Sequence, residues 1–175
     1  LLEKSQHAEA VNYAGQLIRQ QQSYNSQLGQ CQNPILDAFL CSRLQEAQRL
    51  NIPVEAAVVL PAEVALPNTD LVILFGNVLD NAIAACTRTE KPFIKLDVHL
   101  KDGCLTVAQS NPAPTEKKRR LPHTERGMGL YILEDLAKRH NGTCIHSTQD
   151  GVFSISITLQ LDEVRNGGAC DTDRK

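Results

Sequence analysis

The sequence predicts a two-layer α+β sandwich with a mixed sheet, and three observations carry that prediction. Several segments alternate apolar and polar residues with a period of two, as strands of a sheet with one buried face do. Two pairs of strand-like segments turn at Asp-Gly dipeptides, Asp102-Gly103 and Asp150-Gly151, which favour tight hairpins. Between the strands lie helical stretches with enough apolar surface to cover the buried face.

In chain order, Leu2 to Leu28 is rich in Gln, Ala and Glu, with Ala10, Tyr13 or Ala14, and Leu17 at helical spacing. A second helix opens at Asn33-Pro34, a capping residue followed by a first-turn proline. Its stripe is Leu36, Phe39, Leu40, Leu44 and Ala47, and Asn51 with Pro53 ends it. These two helices read as an antiparallel hairpin that must bury its apolar faces on a partner or on the domain that follows. After Pro53 the texture changes. Val54, Ala56, Val58 and Leu60 alternate, then Asp70 to Cys86 forms a strongly apolar helix. Ile94, Leu96, Val98 and Leu100 make a strand that returns through Leu105 and Val107. Residues Asn111 to Arg126 form a long polar loop, and a helix runs from about Gly129 to His140, ended by Asn141-Gly142. The second hairpin places Phe153, Ile155, Ile157, Leu159 and Leu161 on one face. The polar tail, 162–175, is expected to be disordered.

Composition narrows the function. A net charge of −2 gives no basic field for nucleic acid. Gly76, Asn77 and Asp80 interrupt the longest apolar run short of the ~20 residues a membrane span needs, so no membrane contact by this chain is expected. No signal peptide is visible. The 6 cysteines are scattered, without a CxxC pair or zinc-ligand spacing, which reads as a reduced, cytoplasmic protein.

On a helix from Leu71 to Cys86, the apolar residues Leu71, Phe75, Val78, Leu79, Ala82, Ile83 and Cys86 fall on one arc. Asn77, Asp80 and Asn81 stack on the opposite side through their i, i+3 and i+4 spacing. Amide and carboxylate oxygens are hard ligands suited to Mg²⁺, an ion that takes its remaining oxygens from water and phosphate. The plainer reading is a solvated helix face, although such faces normally carry Lys, Glu and Arg.

The run Gly76-Asn77-Val78-Leu79-Asp80-Asn81-Ala82-Ile83-Ala84-Ala85 resembles the N box of the GHKL ATPase superfamily, whose fold is a two-layer, Bergerat-type sandwich. Ala47-Gln48-Arg49-Leu50-Asn51-Ile52-Pro53 is similar to a motif of sensor histidine kinases of the peptide quorum-sensing type, where it precedes the catalytic domain. The resemblance spans roughly Leu17 to Leu161. It implies ATP and Mg²⁺ as ligands, with Asn77 and Asn81 holding the metal and the phosphates and Asp80 ordering the helix face and water. It divides the chain into partial dimerisation helices (1–52), an ATP-binding catalytic domain (53–161) and the tail (162–175).

Arg126-Gly127-Met128-Gly129-Leu130 opens a helix, where glycines permit close backbone approach and free N–H groups favour phosphate. Beside an N box this run is similar to the family's G2 box, which implies that Gly127 and Gly129 lie against the triphosphate and Leu130 beside them. The loop from Pro112 to Arg126 then corresponds to an ATP lid. Its Lys117, Lys118, Arg119 and Arg120 read mainly as solvated charges, and Arg126 is the better candidate for phosphate. No Asp-x-Gly-x-Gly box precedes the lid. Asn111 stands roughly where the family reads adenine with an Asp, which implies an amide contact to the adenine amino group.

A histidine kinase also needs a phosphoacceptor His on its first dimerisation helix. The context of His7, Gln6-His7-Ala8-Glu9, does not match, and His99, His123, His140 and His146 form no pair with ligand spacing. By the resemblance, Leu1 to Tyr24 corresponds to sequence just downstream of the family's His, which implies an acceptor upstream of Leu1. The resemblance further implies a response regulator as partner, homodimerisation through the N-terminal helices, and a location as the cytoplasmic portion of an inner-membrane-anchored sensor. Two alternatives share these features: another GHKL kinase or ATPase, such as an anti-sigma-factor-type serine kinase, and a degenerate dimerisation module without catalysis.

Overall fold

The computed structural model describes residues 29–113 and 128–161. The expected helix over Leu2 to Leu28, most of the lid with Arg126 and Gly127, and the tail lie outside the described residues. The elements are β1 (Gly29–Cys31), α1 (Pro34–Arg49), β2 (Val54–Leu60), α2 (Asn68–Cys86), β3 (Ile94–Lys101), β4 (Cys104–Pro112), α3 (Met128–Arg139), β5 (Thr143–Gln149) and β6 (Val152–Gln160).

One six-stranded sheet has the order β1-β2-β3-β4-β6-β5. β1, β2 and β3 run parallel through the helical crossovers α1 and α2, whereas β3–β4, β4–β6 and β6–β5 pair antiparallel. Both Asp-Gly turns form as the sequence predicts. Asp102 and Gly103 have φ of 50° and 74°, and Asp150 and Gly151 have 50° and 76°, the positive values of a type I′ hairpin. Alternation along β3, β4 and β6 turns Ile94, Leu96, Val98, Leu105, Val107, Ile155, Ile157 and Leu159 to one side, where all are buried. The three helices cover that side.

The domain does not begin at residue 53. β1 pairs with β2, and Leu36, Leu40, Leu44 and Ala47 of α1 are buried in the same core as α2 and the sheet. The Ala47–Pro53 motif therefore closes a helix within the sandwich and does not lead into it from outside. An amphipathic stripe shows that a helix must bury one face but not which surface receives it, and that surface is the sheet of its own domain. The α1 cap forms as expected: Asn33 Oδ1 accepts the Leu36 N–H at 2.9 Å, and Asn33 Nδ2 donates to the Ala62 carbonyl at 3.1 Å. At its other end Asn51 takes φ 54° and the Ile52 N–H returns to the Ala47 carbonyl.

α2 is the central helix, packed against α1 on one flank and α3 on the other. Its 19 residues and mean hydropathy of 1.4 would by length and composition allow a membrane crossing, yet half of that window is buried in the sandwich. All seven residues of its expected apolar arc are buried.

Candidate functional site

α2 and α3 run antiparallel, and two contacts show it. At one end Gly129, the second residue of α3, lies over the middle of α2. At the other, His140 just beyond α3 meets Asp70 in the first turn of α2, Nε2 to Oδ2 2.9 Å, with Arg139 Nη1 3.6 Å from the same oxygen. A carboxylate there also faces the positive end of the α2 dipole.

The geometry at Gly129 brings two of the predicted motifs together. A β-carbon on Gly129 would lie 3.0 Å from Asn81 Nδ2 and 3.2 Å from Asn77 Oδ1. Backbone therefore passes close to both amides, a clearance that any side chain would reduce. Asn77 is half-buried and its Nδ2 donates to the Ile73 carbonyl at 2.8 Å, which fixes the amide so that Oδ1 faces the glycine. Asn81 is exposed. Leu130, the next residue of α3, is partly buried against the core and anchors the start of that helix.

Asp80 sits beside the two asparagines on α2. It is exposed on the α1 flank of the stripe, and its Oδ1 meets Arg43 Nη1 of α1 at 3.2 Å. Arg43 also reaches Glu46 at 2.8 Å and stacks over the Phe39 ring at 5.3 Å. Phe39 in turn packs beside Gly76, where a β-carbon would lie 3.7 Å from its Cζ. Partial desolvation raises the Asp80 carboxyl above the usual carboxylate range, Arg43 pulls it back, and Glu46 adds to the rise. No sequence signal pairs Arg43 with Asp80, because they sit on different helices. Their meeting depends on how α1 packs.

Asn111 lies at the helix-facing end of β4, 2% exposed, beside Gln109 at 3%. Gln109 Nε2 donates to Asn111 Oδ1 at 3.0 Å, and Asn111 Nδ2 donates to the Pro112 carbonyl at 2.8 Å. Asn111 is legible in the sequence from its place before the long loop, whereas Gln109 belongs to no motif. The signal was present: both occupy core-facing positions of a strand whose preceding inward residues are Leu105 and Val107.

The donor set suits a metal held mostly by phosphate. Among the described residues no cluster of three or more His, Cys, Asp or Glu could hold an ion by itself. Amide oxygens beside a close-approaching backbone fit Mg²⁺ that keeps its waters and draws oxygens from a nucleotide. A trough of about 660 Å³ on the helix-free face of the sheet, lined by Lys95, Ser110, Ile145, Ser154 and others, reaches Gln109 but includes none of Asn77, Asp80, Asn81, Asn111 and Gly129.

A mixed sheet under three helices, with an amide pair set against a glycine at a helix start, defines a two-layer α+β sandwich. The family model described as a GHKL domain matches residues 66–160, more than half of the chain, and the chain belongs to that family. Sensor histidine kinase DcuS of Escherichia coli (strain K12) is 22% identical over 151 residues, covering 77% of this chain and 27% of its own. The chain thus spans 27% of the length of the curated relatives it matches. Among solved structures, the catalytic domain of histidine kinase ThkA is similar with a TM-score of 0.52 and 20% identity, over 74% of this chain and 91% of that one. Acinetobacter baumannii histidine kinase AdeS gives 0.55 and 13%, over 89% and 80%. At these identities the likeness shows the fold, which is that of histidine-kinase catalytic domains.

Proposed function

We propose that this chain is the ATP-binding catalytic region of a two-component sensor histidine kinase, and that the contact of Gly129 with Asn77 and Asn81 marks its phosphate site. Asn77 and Asn81 would hold Mg²⁺, which when bound neutralises charge on the transferring phosphoryl group. Gly129, with Gly127 and Arg126 preceding it, offers backbone and cationic donors to the phosphates at the start of α3. Asn111, held by Gln109 on the helix side of β4, would read the adenine amino group with its remaining oxygen lone pair. Catalysis in such a site consists of positioning and charge neutralisation.

In the full-length protein the γ-phosphoryl group would pass to a His upstream of Leu1 and then to an Asp of a response regulator. The N-terminal residues before β1 would dimerise, and the whole would be the cytoplasmic portion of an inner-membrane-anchored sensor. The Ala47–Pro53 motif supports the peptide quorum-sensing type within the histidine kinases.

Calorimetric titration of the chain with Mg²⁺ and a non-hydrolysable ATP analogue tests the reading. Saturable, Mg²⁺-dependent binding that Asn81→Ala weakens at least about tenfold supports it. Affinity unchanged by Asn81→Ala overturns the site, and a wild-type chain with no saturable response is instead a partner-binding module.

A further inference from the structure

We infer that Arg43 is a positioning residue of the nucleotide site: by pairing with Asp80 and Glu46 it neutralises charge on the α1 flank of α2, leaving the Asn77–Asn81 amides as the face offered to a metal-bound polyphosphate. The inference rests on the proposed nucleotide-binding reading. Three observations on two helices carry it. Asp80 directly precedes Asn81, so on an α-helix its carboxylate flanks the amide stripe ~100° away. It pairs with Arg43 of α1, 3.2 Å away, and the same guanidinium holds Glu46 at 2.8 Å. The guanidinium is itself fixed over Phe39, whose ring packs beside Gly76 at the head of the motif.

One cation therefore serves two carboxylates on the flank of the site. Without it, both negative charges would act on a bound triphosphate across a partly exposed surface, where a unit charge several ångströms away weakens binding of a multiply charged anion by about tenfold. A guanidinium suits the place because its planar fork meets two carboxylates while its face stacks on a ring.

The test is a charge-compensation cycle read by calorimetric titration of Mg²⁺ and the ATP analogue. Arg43→Met keeps the apolar stem over Phe39 and is expected to weaken binding about tenfold. Adding Asp80→Asn in that background returns the local net charge to that of the wild type, and affinity should recover to within about threefold of it. Arg43→Lys, which keeps the cation, should lose less than Arg43→Met, and thermal unfolding of each variant reports its fold. A loss that Asp80→Asn does not repair shows that Arg43 acts through packing or by touching phosphate itself, and overturns the inference. So does unchanged affinity in Arg43→Met, or an equal loss in Arg43→Lys. A wild-type chain that fails to bind the analogue removes the nucleotide-binding reading itself, a result distinct from these.

Discussion

Gly129 and Asn81 come from helices separated in the chain by β3 and β4, yet a β-carbon on the glycine would sit 3.0 Å from the amide nitrogen of the asparagine. Gly129→Ala should therefore separate site geometry from stability. The methyl favours the helix by up to about 1 kcal/mol, offset by displacing the exposed Asn81 amide and crowding the Asn77 amide that Ile73 holds. Unfolding midpoints should barely change, whereas affinity for the Mg²⁺-bound ATP analogue should fall between about tenfold and a hundredfold. Equal affinity for the variant and the wild type would mean that the contact is packing only.

Gly142 presents the opposite case. A β-carbon there would lie 1.7 Å from the Thr158 carbonyl oxygen and 2.6 Å from its carbon, both backbone atoms of β6. The Gly142 N–H also closes the end of α3 on the Ala137 carbonyl at 2.8 Å. No side-chain rotation relieves such a clash. Gly142→Ala should cost about 3 kcal/mol or more, seen as a lower urea midpoint with an unchanged slope.

The clasp between α2 and α3 should be measurable by itself. Asp70 and His140 are largely buried, at 13% and 21% side-chain exposure, and their 2.9 Å contact ties the start of one helix to the end of the other. Asp70→Ala removes that acceptor and the charge at the α2 N-terminus, so a loss of about 1–2 kcal/mol is expected in urea unfolding. A change below ~0.3 kcal/mol would show that the pair adds nothing beyond an exposed ion pair.

Cysteine chemistry gives a pH dependence. Burial raises the thiol pKa of Cys31, Cys41, Cys86 and Cys144 above 9.0, and the bond from Cys86 to the Phe93 carbonyl only partly offsets this. Above that value the unfolded chain releases thiol protons that the folded chain keeps. Stability is thus fully present below pH 9 and declines as the pH rises toward the folded values. In the folded protein these four thiols should alkylate slowly at pH 8, and urea should release the reaction. Rapid labelling of Cys86 in the folded chain at pH 8 would contradict its burial.

The type and position of most elements after residue 53 were legible because each announces itself locally. The Asp-Gly pairs need only their own positive φ to specify a hairpin, and the alternation from Ile94 to Val107 needs only one buried face. The capping of α1 by Asn33 and its end at Asn51 were equally local. Asn77 and Asn81 could be singled out because two amides on an apolar helix violate its own pattern.

What the tertiary structure alone decided is which surfaces meet. β1 spans Gly29–Cys31, too short to carry a period, and is a strand only because β2 offers it an edge. α1 belongs to the sandwich and not to an appendage because its apolar stripe fits that sheet, a choice no stripe can encode by itself. Asp80 was grouped with the asparagines by helical spacing, and the packing of α1 supplied Arg43 as the neighbour of its carboxylate. Periodicity fixes the directions in which side chains leave a helix. The neighbour that receives each one depends on contacts between residues far apart in the chain, which form only when the layers close.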